Sequence, residues 1–235
     1  MPGPPSIAEN LQRVHEQIAG ACRRAARSEN EVALMAVSKT HSVDRIAEAY
    51  AAGQRLFGEN RVQEFEAKSG SLIGQPDAIF HLIGPLQSNK TSRAAGLFHS
   101  VDTVDSVRIA QRLNDAAAKL NKTLPILIEI KTSAEESKSG IPAESDELDS
   151  LLEILGSAQS LEVRGLMTVP PYSDDLEVVR PYFARLRNLR DHLAKRYPRL
   201  DLHELSMGMS HDFTVAIEAG STCVRIGTAI FGARQ

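Results

Sequence analysis

The sequence has only two cysteines, Cys22 and Cys223, and they stand near opposite ends of the chain. They form no CxxC motif, so the sequence indicates neither a disulfide framework nor a structural zinc site. We expect two free thiols, as in a protein of a reducing compartment. The 7 histidines include no H-x-H or H-x-x-x-H pair and no neighbouring cysteine, so no metal site is predicted.

Long apolar runs and an excess of one charge are also lacking. No run approaches the roughly 20 apolar residues that a membrane helix needs, and the opening MPGPPSIAEN has neither the basic start nor the apolar core of a secretory signal. Lys and Arg number 27 against 30 Asp and Glu, a net charge of −3 that offers nucleic acid no bulk attraction. We therefore expect a cytoplasmic protein that binds neither membranes nor nucleic acid. The motifs G-x-S-x-G and G-x-G-x-x-G are absent as well.

The composition is that of an ordinary globular protein. Hydrophobic residues make up 42% and charged residues 24% of the 235 residues, which excludes disordered, collagen-like and coiled-coil classes for most of the chain. Apolar residues recur at helical spacing over residues 7–27, which predicts an opening helix. Ser6 is its expected N-cap, with Asn10 rather than an acidic residue completing the first turn.

After this helix, short apolar runs alternate with amphipathic segments, which predicts eight strands separated by helices. Strands are predicted at 32–37, 55–60, 78–84, 97–102, 124–132, 161–169, 201–208 and 223–231. The intervening helices are predicted at 43–52, 62–68, 88–96, 107–120, 146–155, 176–197 and 212–219. Such alternation implies parallel strands. Eight units close into a single (β/α)8 barrel of the TIM type, here with an extra N-terminal helix; an open doubly wound sheet is the alternative.

The expected organisation is an N-terminal arm and helix over residues 1–30 and the barrel over 31–235, together forming one structural domain. In a TIM-type barrel the functional site lies at the carboxyl ends of the strands. Lys39 follows the first strand, and lysine is rarely buried unpaired. Either this side chain extends into solvent at the barrel mouth, or burial or nearby cations lower its pKa, so that the amine attacks carbonyl groups and forms Schiff bases. Asn60 follows the second strand and either caps the next helix or contacts a ligand.

The turns after the last two strands predict an anion site. Gly208 and Ser210 lead into a helix near Asp212, where backbone N–H groups and the helix dipole favour an anion. Gly227 permits close backbone approach after the last strand, and Thr228 adds a hydroxyl group. TIM-type barrels hold phosphate at these two loops. The alternative is a turn followed by a helix N-cap.

Arg225, His81 and the stretch after the third predicted strand also carry polar or charged groups. Arg225 lies within an apolar strand, so its guanidinium must face the barrel mouth or a buried partner. His81 is expected to be an interior barrel residue, and a contact with the site is the alternative. The stretch GPLQSNKT at 84–91 resembles a nucleotide-binding P-loop, but Asn89 replaces the second glycine and Pro85 removes a backbone donor, which argues against that function.

Five stretches of the chain resemble the pyridoxal phosphate homeostasis protein family, whose fold is related to the N-terminal barrel of alanine racemase. The stretches are AVSKT (36–40), FGENRVQE (57–64), HLIGPLQSNK (81–90), GLMTVPP (165–171) and LSMGMSHDFTVAIEAGSTCVRIGTAIFGAR (205–234). The third stretch departs from the family pattern, since Leu82 stands where the family has an aromatic residue.

The resemblance implies that the cofactor is pyridoxal 5′-phosphate and that Lys39 holds it as a Schiff base. It implies that Arg225 faces the pyridine nitrogen, where a cation disfavours ring protonation and weakens the ring as an electron sink. The phosphate would lie on the last two turns, at Ser210, Gly227 and Thr228. The residues implied to line the ring are Asn60, Ser206 and Met207.

The resemblance to alanine racemase also implies what racemisation requires. It needs a second base, which in that family is a tyrosine from a further, β-rich domain acting across a dimer. This sequence stops at Gln235, soon after the eighth predicted strand. We therefore expect a monomeric, non-catalytic carrier with an open site, which stores pyridoxal phosphate or delivers it to enzymes that need it. Lys138, in the polar loop 135–145, is a candidate second amine for that transfer, and a solvated loop lysine is the alternative.

The sequence is also compatible with two other functions. A low-activity amino-acid racemase that uses pyridoxal phosphate would contain the same residues. A barrel enzyme acting on sugar phosphates would use the same phosphate-binding turns without a lysine-linked cofactor.

Overall fold

The computed structural model describes residues 5–72, 74–133 and 139–232. Its strands are β1 Ala33–Val37, β2 Leu56–Glu59, β3 Ile79–Leu82, β4 Ser100–Val104, β5 Leu124–Lys131, β6 Ile141–Pro142, β7 Leu161–Met167, β8 Glu204–Met209 and β9 Cys223–Ile226. All pairings are parallel, in the order β4-β3-β2-β1-β9-β8-β7-β5, and β5 pairs with β4 to close the ring. The two residues of β6 add to the end of β5. The β4–β5 pairing confirms the TIM-type barrel and excludes the open sheet.

Helices follow the strands in the predicted alternation. They are α1 Ile7–Arg24, α2 Val43–Ala51, α3 Val62–Ser69, α4 Thr91–Leu97, α5 Val107–Lys119, α6 Asp146–Ser157, α7 Leu176–Arg196, α8 Phe213–Glu218 and α9 Thr228–Phe231. In the described part of the chain, none is long and apolar enough to cross a membrane.

The first helix packs on the last two helices of the barrel. Helix α1 buries one apolar face against α8 and α9. Ser6 caps it as predicted, but the residue that completes the capping box is Glu9, whose carboxylate accepts the Ser6 N–H at 2.8 Å. Asn10 instead donates its side-chain amide to the Ile230 carbonyl at 2.8 Å, which ties α1 to α9.

The last predicted strand is shorter than expected. The extended backbone ends at Ile226, and Thr228–Phe231 forms the short helix α9. Gly227 has φ −110° and ψ −75°, which leaves the strand conformation and turns the chain across the barrel mouth. As a result, Gly227 and Thr228 lie at a strand-to-helix junction rather than inside a strand.

Both cysteines are buried and unpaired, as expected from their spacing. Burial raises the pKa of the Cys223 thiol to about 12. Cys22 is part of the core beneath α1. Neither thiol is poised to react, because the thiolate is the reactive form.

Candidate functional site

A cavity of about 440 Å³ opens at the carboxyl ends of the strands. This volume lies within the usual range of small-ligand pockets. Its lining residues come from turns all around the barrel: Val37, Lys39, Asn60, Ile83, Gly84, Pro85, Glu129, Ser139, Val169, Tyr172, Met209, Ser210, His211, Arg225, Gly227 and Thr228. Six of the eight residues predicted from the sequence therefore share one cavity.

Lys39 lies in the tight turn between β1 and α2. Strand pairing extends just beyond β1, where the Ser38 N–H donates to the Gly58 carbonyl at 3.0 Å. The Lys39 side chain is half-buried and lines the cavity. The next residue, Thr40, has φ +65°, in the left-handed region that non-glycine residues rarely adopt. The turn thus directs an amine into the cavity from a strained backbone.

Asn60 follows β2 and is held by the neighbouring turn. Gly84, after β3, packs against the Asn60 backbone so closely that an added Cβ would lie 2.7 Å from the Asn60 Cα atom. Only glycine allows this approach. The contact places Asn60, Gly84 and Pro85 together on one wall of the cavity.

The turns after β8 and β9 meet on the opposite wall. The Ser210 hydroxyl accepts a hydrogen bond from the Ala229 N–H at 3.4 Å, which joins the two turns. Beside them, Asp212 accepts the Met209 N–H through its carboxylate at 2.6 Å. The backbone donor of Met209 is therefore already used. Ser210, Gly227 and Thr228 of these two turns line the cavity, and two of them carry hydroxyl groups.

Arg225 forms the floor of the cavity. This residue is 4% exposed, and its guanidinium donates to the Ser206 hydroxyl at 2.7 Å and to the Thr168 carbonyl at 2.8 Å. Burial lowers its pKa, and the thiol and acidic groups around it oppose that shift. Arginine keeps its charge in proteins, so the floor presents a fixed cation held by two hydrogen bonds.

The other two predicted residues do not line the cavity. Ser206 lies one layer deeper, where it positions the Arg225 guanidinium. Met207 is completely buried in the hydrophobic core, and Met209 lines the cavity two residues later. The β8–β9 register shifts between Ser206 and Met209, which changes the side that each residue faces.

Glu129, at the end of β5, was not identified from the sequence. It is 5% exposed and lines the cavity, and its Oε2 atom has no hydrogen-bond partner among the residues that the structure describes. Burial raises the pKa of Glu129 to about 7, with a further rise from Asp105 and an opposing effect from Arg225. A charged residue in the apolar stretch LPILIEIK was the available signal, of the same kind that pointed to Lys39.

Tyr172 and His211 form a rim over this cavity. Their rings lie 5.1 Å apart, and the His211 ring is 3.0 Å from the Ser173 carbonyl. Tyr172 is 71% exposed, so the rim borders solvent. Lys138 lies outside the described residues.

His81 belongs to the other end of the barrel. Its Nδ1 atom is 2.9 Å from Oδ2 of Asp102, which is buried and also accepts the Ser100 hydroxyl at 2.6 Å. Burial lowers the pKa of His81, but the Asp102 carboxylate more than compensates, and the net direction is upward. The pair therefore stabilises the barrel interior, away from Lys39.

Two observations distinguish this cavity from other kinds of site. A larger groove, of about 830 Å³, lies between α6 and α7 and contains none of the predicted site residues. Within residues 5–72, 74–133 and 139–232, no cluster of three or more His, Cys, Asp or Glu side chains could hold a metal ion.

The cavity at Lys39 combines an amine, a buried guanidinium and two hydroxyl groups. Such a set fits a ligand with an electrophilic carbon at one end and an anion at the other.

Comparison with known proteins shows which family the chain resembles. Residues 9–235 match the family model described as alanine racemase, N-terminal domain. The chain is 46% identical over 235 residues to the pyridoxal phosphate homeostasis protein of Escherichia coli K12, with 97% of each chain covered. It is 44% identical over 230 residues to that of Aquifex aeolicus, covering 98% of this chain and 99% of the relative.

Solved structures show the same relationship. PipY of Synechococcus elongatus, solved with PLP bound, has a TM-score of 0.87 and 37% identity, covering 97% of this chain and 100% of PipY. Alanine racemase of Clostridium difficile 630 shares the fold at a TM-score of 0.71 and 13% identity; the match covers 94% of this chain and 56% of the racemase. By sequence and by fold, the chain belongs to the pyridoxal phosphate homeostasis protein family.

Proposed function

We propose that this protein binds pyridoxal 5′-phosphate through Lys39 and acts as a non-catalytic carrier in the homeostasis of that cofactor. The observation that carries the proposal is that Lys39, Arg225 and the Ser210–Gly227–Thr228 wall line one cavity. Relatives that share 42% to 46% of their residues with this chain are named for pyridoxal phosphate homeostasis.

The residues present fit this cofactor. When bound, pyridoxal phosphate supplies a reactive aldehyde carbon. The neutral amine of Lys39 would bond to that carbon, and both of its hydrogens would leave with the carbonyl oxygen as water. The hydroxyl groups of Ser210 and Thr228 would donate to the phosphate. Gly227 packs closely against the end of β1, since an added Cβ would lie 3.3 Å from the Val37 carbonyl oxygen.

Arg225 explains why we propose a carrier rather than an enzyme. Its guanidinium is a fixed cation on the cavity floor, held by Ser206 and Thr168. A ring nitrogen facing that cation would stay unprotonated, because two positive charges would otherwise meet. Withdrawal of electrons from a substrate would then be weak, whereas storage at Lys39 would be unaffected.

The same proposal includes a cytoplasmic location, a monomeric state and transfer of the cofactor to enzymes that require it. The aldehyde held at Lys39 would be protected until an acceptor amine competes for it. Size-exclusion chromatography with light scattering would test the monomeric state, and transfer to an apoenzyme would be followed by recovery of that enzyme's activity.

The deciding experiment is an absorption spectrum of the purified protein, loaded with pyridoxal phosphate, before and after borohydride. We expect a visible band that borohydride removes, with the pyridoxyl group then found on the peptide that contains Lys39. The Lys39→Ala variant should lack the band. A colourless protein with no trapped group would contradict the proposal and favour the sugar-phosphate alternative.

A second assay separates a carrier from an enzyme. The protein is incubated with L-alanine or L-serine in D₂O, and deuterium at the α-carbon is measured. We expect no exchange at useful turnover; sustained exchange that requires Lys39 would instead favour the racemase alternative.

A further inference from the structure

We propose that Lys68, in the last turn of α3, is a positioning residue that holds the turn carrying Lys39. This inference rests on the proposed function, because it concerns how the Lys39 amine is positioned to bind the cofactor. Lys68 is not among the residues that line the cavity. Any effect of Lys68 on cofactor binding must therefore act through the backbone of the turn that contains Lys39.

The contacts of Lys68 span the Lys39 turn. The Lys68 ammonium lies 3.2 Å from the Ser38 carbonyl oxygen and 3.4 Å from the His41 carbonyl oxygen. These two carbonyl groups stand on either side of Lys39 in the chain. The Lys68 ammonium thus connects the beginning and the end of the turn.

The cation is itself anchored to strand β2. Lys68 Nζ is 2.7 Å from Oε1 of Glu59, a carboxylate with no exposed surface, and the same oxygen accepts the Ser38 hydroxyl at 2.5 Å. The Lys68 side chain is only 10% exposed. A charge-assisted contact in such a protected place is strong and little screened. Glu59, Ser38 and Lys68 therefore form one connected group behind the turn.

The turn needs such a restraint. Strand pairing ends at Ser38, so the barrel ladder does not reach Lys39. Thr40 has φ +65° without being glycine, and such a conformation persists only where the surroundings impose it. The Thr40 N–H donates to Glu64 at 2.5 Å, and Glu64 in turn lies 3.5 Å from Lys68 Nζ. The turn is also closed by the His41 N–H, which donates to the Ser38 carbonyl at 3.1 Å. Lys68 thus contacts the carbonyl groups on both sides of Lys39 and the carboxylate that holds Thr40.

A purely structural role is the alternative. Without Lys68, the Glu59 carboxylate would be a buried charge lacking its cation, which is destabilising wherever it occurs. The two roles separate when Glu59 is neutralised as well. Gln at position 59 keeps an oxygen for the Ser38 hydroxyl but carries no charge that needs Lys68.

The experiment compares four proteins: the wild type, Lys68→Met, Lys68→Met with Glu59→Gln, and Lys195→Met as the control, since Lys195 is exposed in the last turn of α7. Thermal unfolding without cofactor reports stability. Spectroscopic titration with pyridoxal phosphate, and with pyridoxal, which lacks the phosphate, reports binding.

We expect Lys68→Met to unfold at a lower temperature and to bind pyridoxal phosphate at least about tenfold more weakly, the effect of losing hydrogen bonds to a charged group. The double variant should recover thermal stability but not binding. Pyridoxal should lose affinity by a similar factor, because the phosphate-binding wall is intact. Lys195→Met should match the wild type.

Recovery of binding in the double variant, or wild-type binding by Lys68→Met, would overturn the inference, and so would failure of the double variant to fold. If instead the wild type itself shows no Lys39-linked cofactor, it is the proposed function that fails. The two failures are therefore distinguishable.

Discussion

At the scale of single residues, the cavity contains a carboxyl group whose protonation changes near neutral pH. Glu129 has a pKa of about 7 in the folded protein, against an ordinary value of 4.5. A raised carboxyl pKa means that the folded state binds the proton more tightly than the unfolded state. Protonation of Glu129 therefore adds to the free energy of unfolding. This contribution is complete below about pH 4.5 and is lost as the pH rises through 7.

We therefore predict that Glu129→Gln flattens the pH dependence of stability. Relative to the variant, the wild type should lose up to about 3 kcal/mol between pH 5 and pH 8, the equivalent of the shift in pKa. Urea unfolding of the cofactor-free proteins at several pH values measures this. Glu153→Gln, on the exposed face of α6, is the control, and parallel curves for wild type and Glu129→Gln would contradict the prediction.

A second residue-scale prediction concerns Arg225. Its two bonds, to the Ser206 hydroxyl and the Thr168 carbonyl, use separate nitrogens of one planar group. Lysine keeps the charge but cannot reproduce this fork. We expect Arg225→Lys to lower the free energy of unfolding by about 2 kcal/mol, the cost of a lost hydrogen bond to a charged group. Urea unfolding without cofactor tests this, and unchanged stability would show that the fork is dispensable.

At the scale of elements, the turns at the barrel mouth support one another through close backbone contacts. An added Cβ at Gly84 would lie 2.7 Å from Asn60 Cα. We predict that Gly84→Ala pushes the turn after β2 away, lowers the free energy of unfolding by about 1–3 kcal/mol as overpacking does, and weakens cofactor binding. Gly156→Ala, in α6 with nothing within 4 Å, should instead leave binding unchanged. Equal behaviour of the two variants in the binding titration would contradict this contact.

Sequence patterns predicted the elements better than their ends. The order of strands and helices followed from hydrophobic periodicity, because burial on both faces of a strand and on one face of a helix leaves a direct trace in the sequence. The run TCVRIGTAIF continues to look strand-like after Gly227, and only the backbone angles at that residue show the change to α9. Glu9 was missed because a capping box depends on a position counted from the first helical residue.

Sequence patterns pointed to residues of the candidate cavity where a polar residue interrupts an apolar strand, as at Lys39 and Arg225. The cavity was less predictable where side-chain direction decides. The register shift between β8 and β9 places Met209 at the cavity and Met207 in the core, and a strand pattern alone does not reveal such a shift. The Lys68 contacts cross from α3 to the turn after β1, a pairing that no local motif encodes.

At the scale of the whole molecule, the cavity joins elements from both halves of the chain. Its walls include the turns after β1, β2 and β3 and those after β7, β8 and β9. A ligand that binds only the folded state raises stability by mass action, by about 2.7 kcal/mol at a free concentration 100 times its Kd. We predict that pyridoxal phosphate raises the unfolding temperature in a concentration-dependent way.

Thermal denaturation over a series of cofactor concentrations measures this effect. The Lys39→Ala variant should need much higher concentrations for the same increase, since only the non-covalent contacts remain. If the unfolding temperature of the wild type does not change with the cofactor concentration, a site shared between the two halves of the chain is contradicted.

The pairing of β1 with β9 has a consequence for how the protein is made. Lys39 is synthesised well before Gly227 and Thr228, and Asn10 of α1 bonds to α9 only once both helices exist. A nascent polypeptide that still lacks β9 thus has no complete pocket. The site for the cofactor exists only after two strands far apart in the sequence have met.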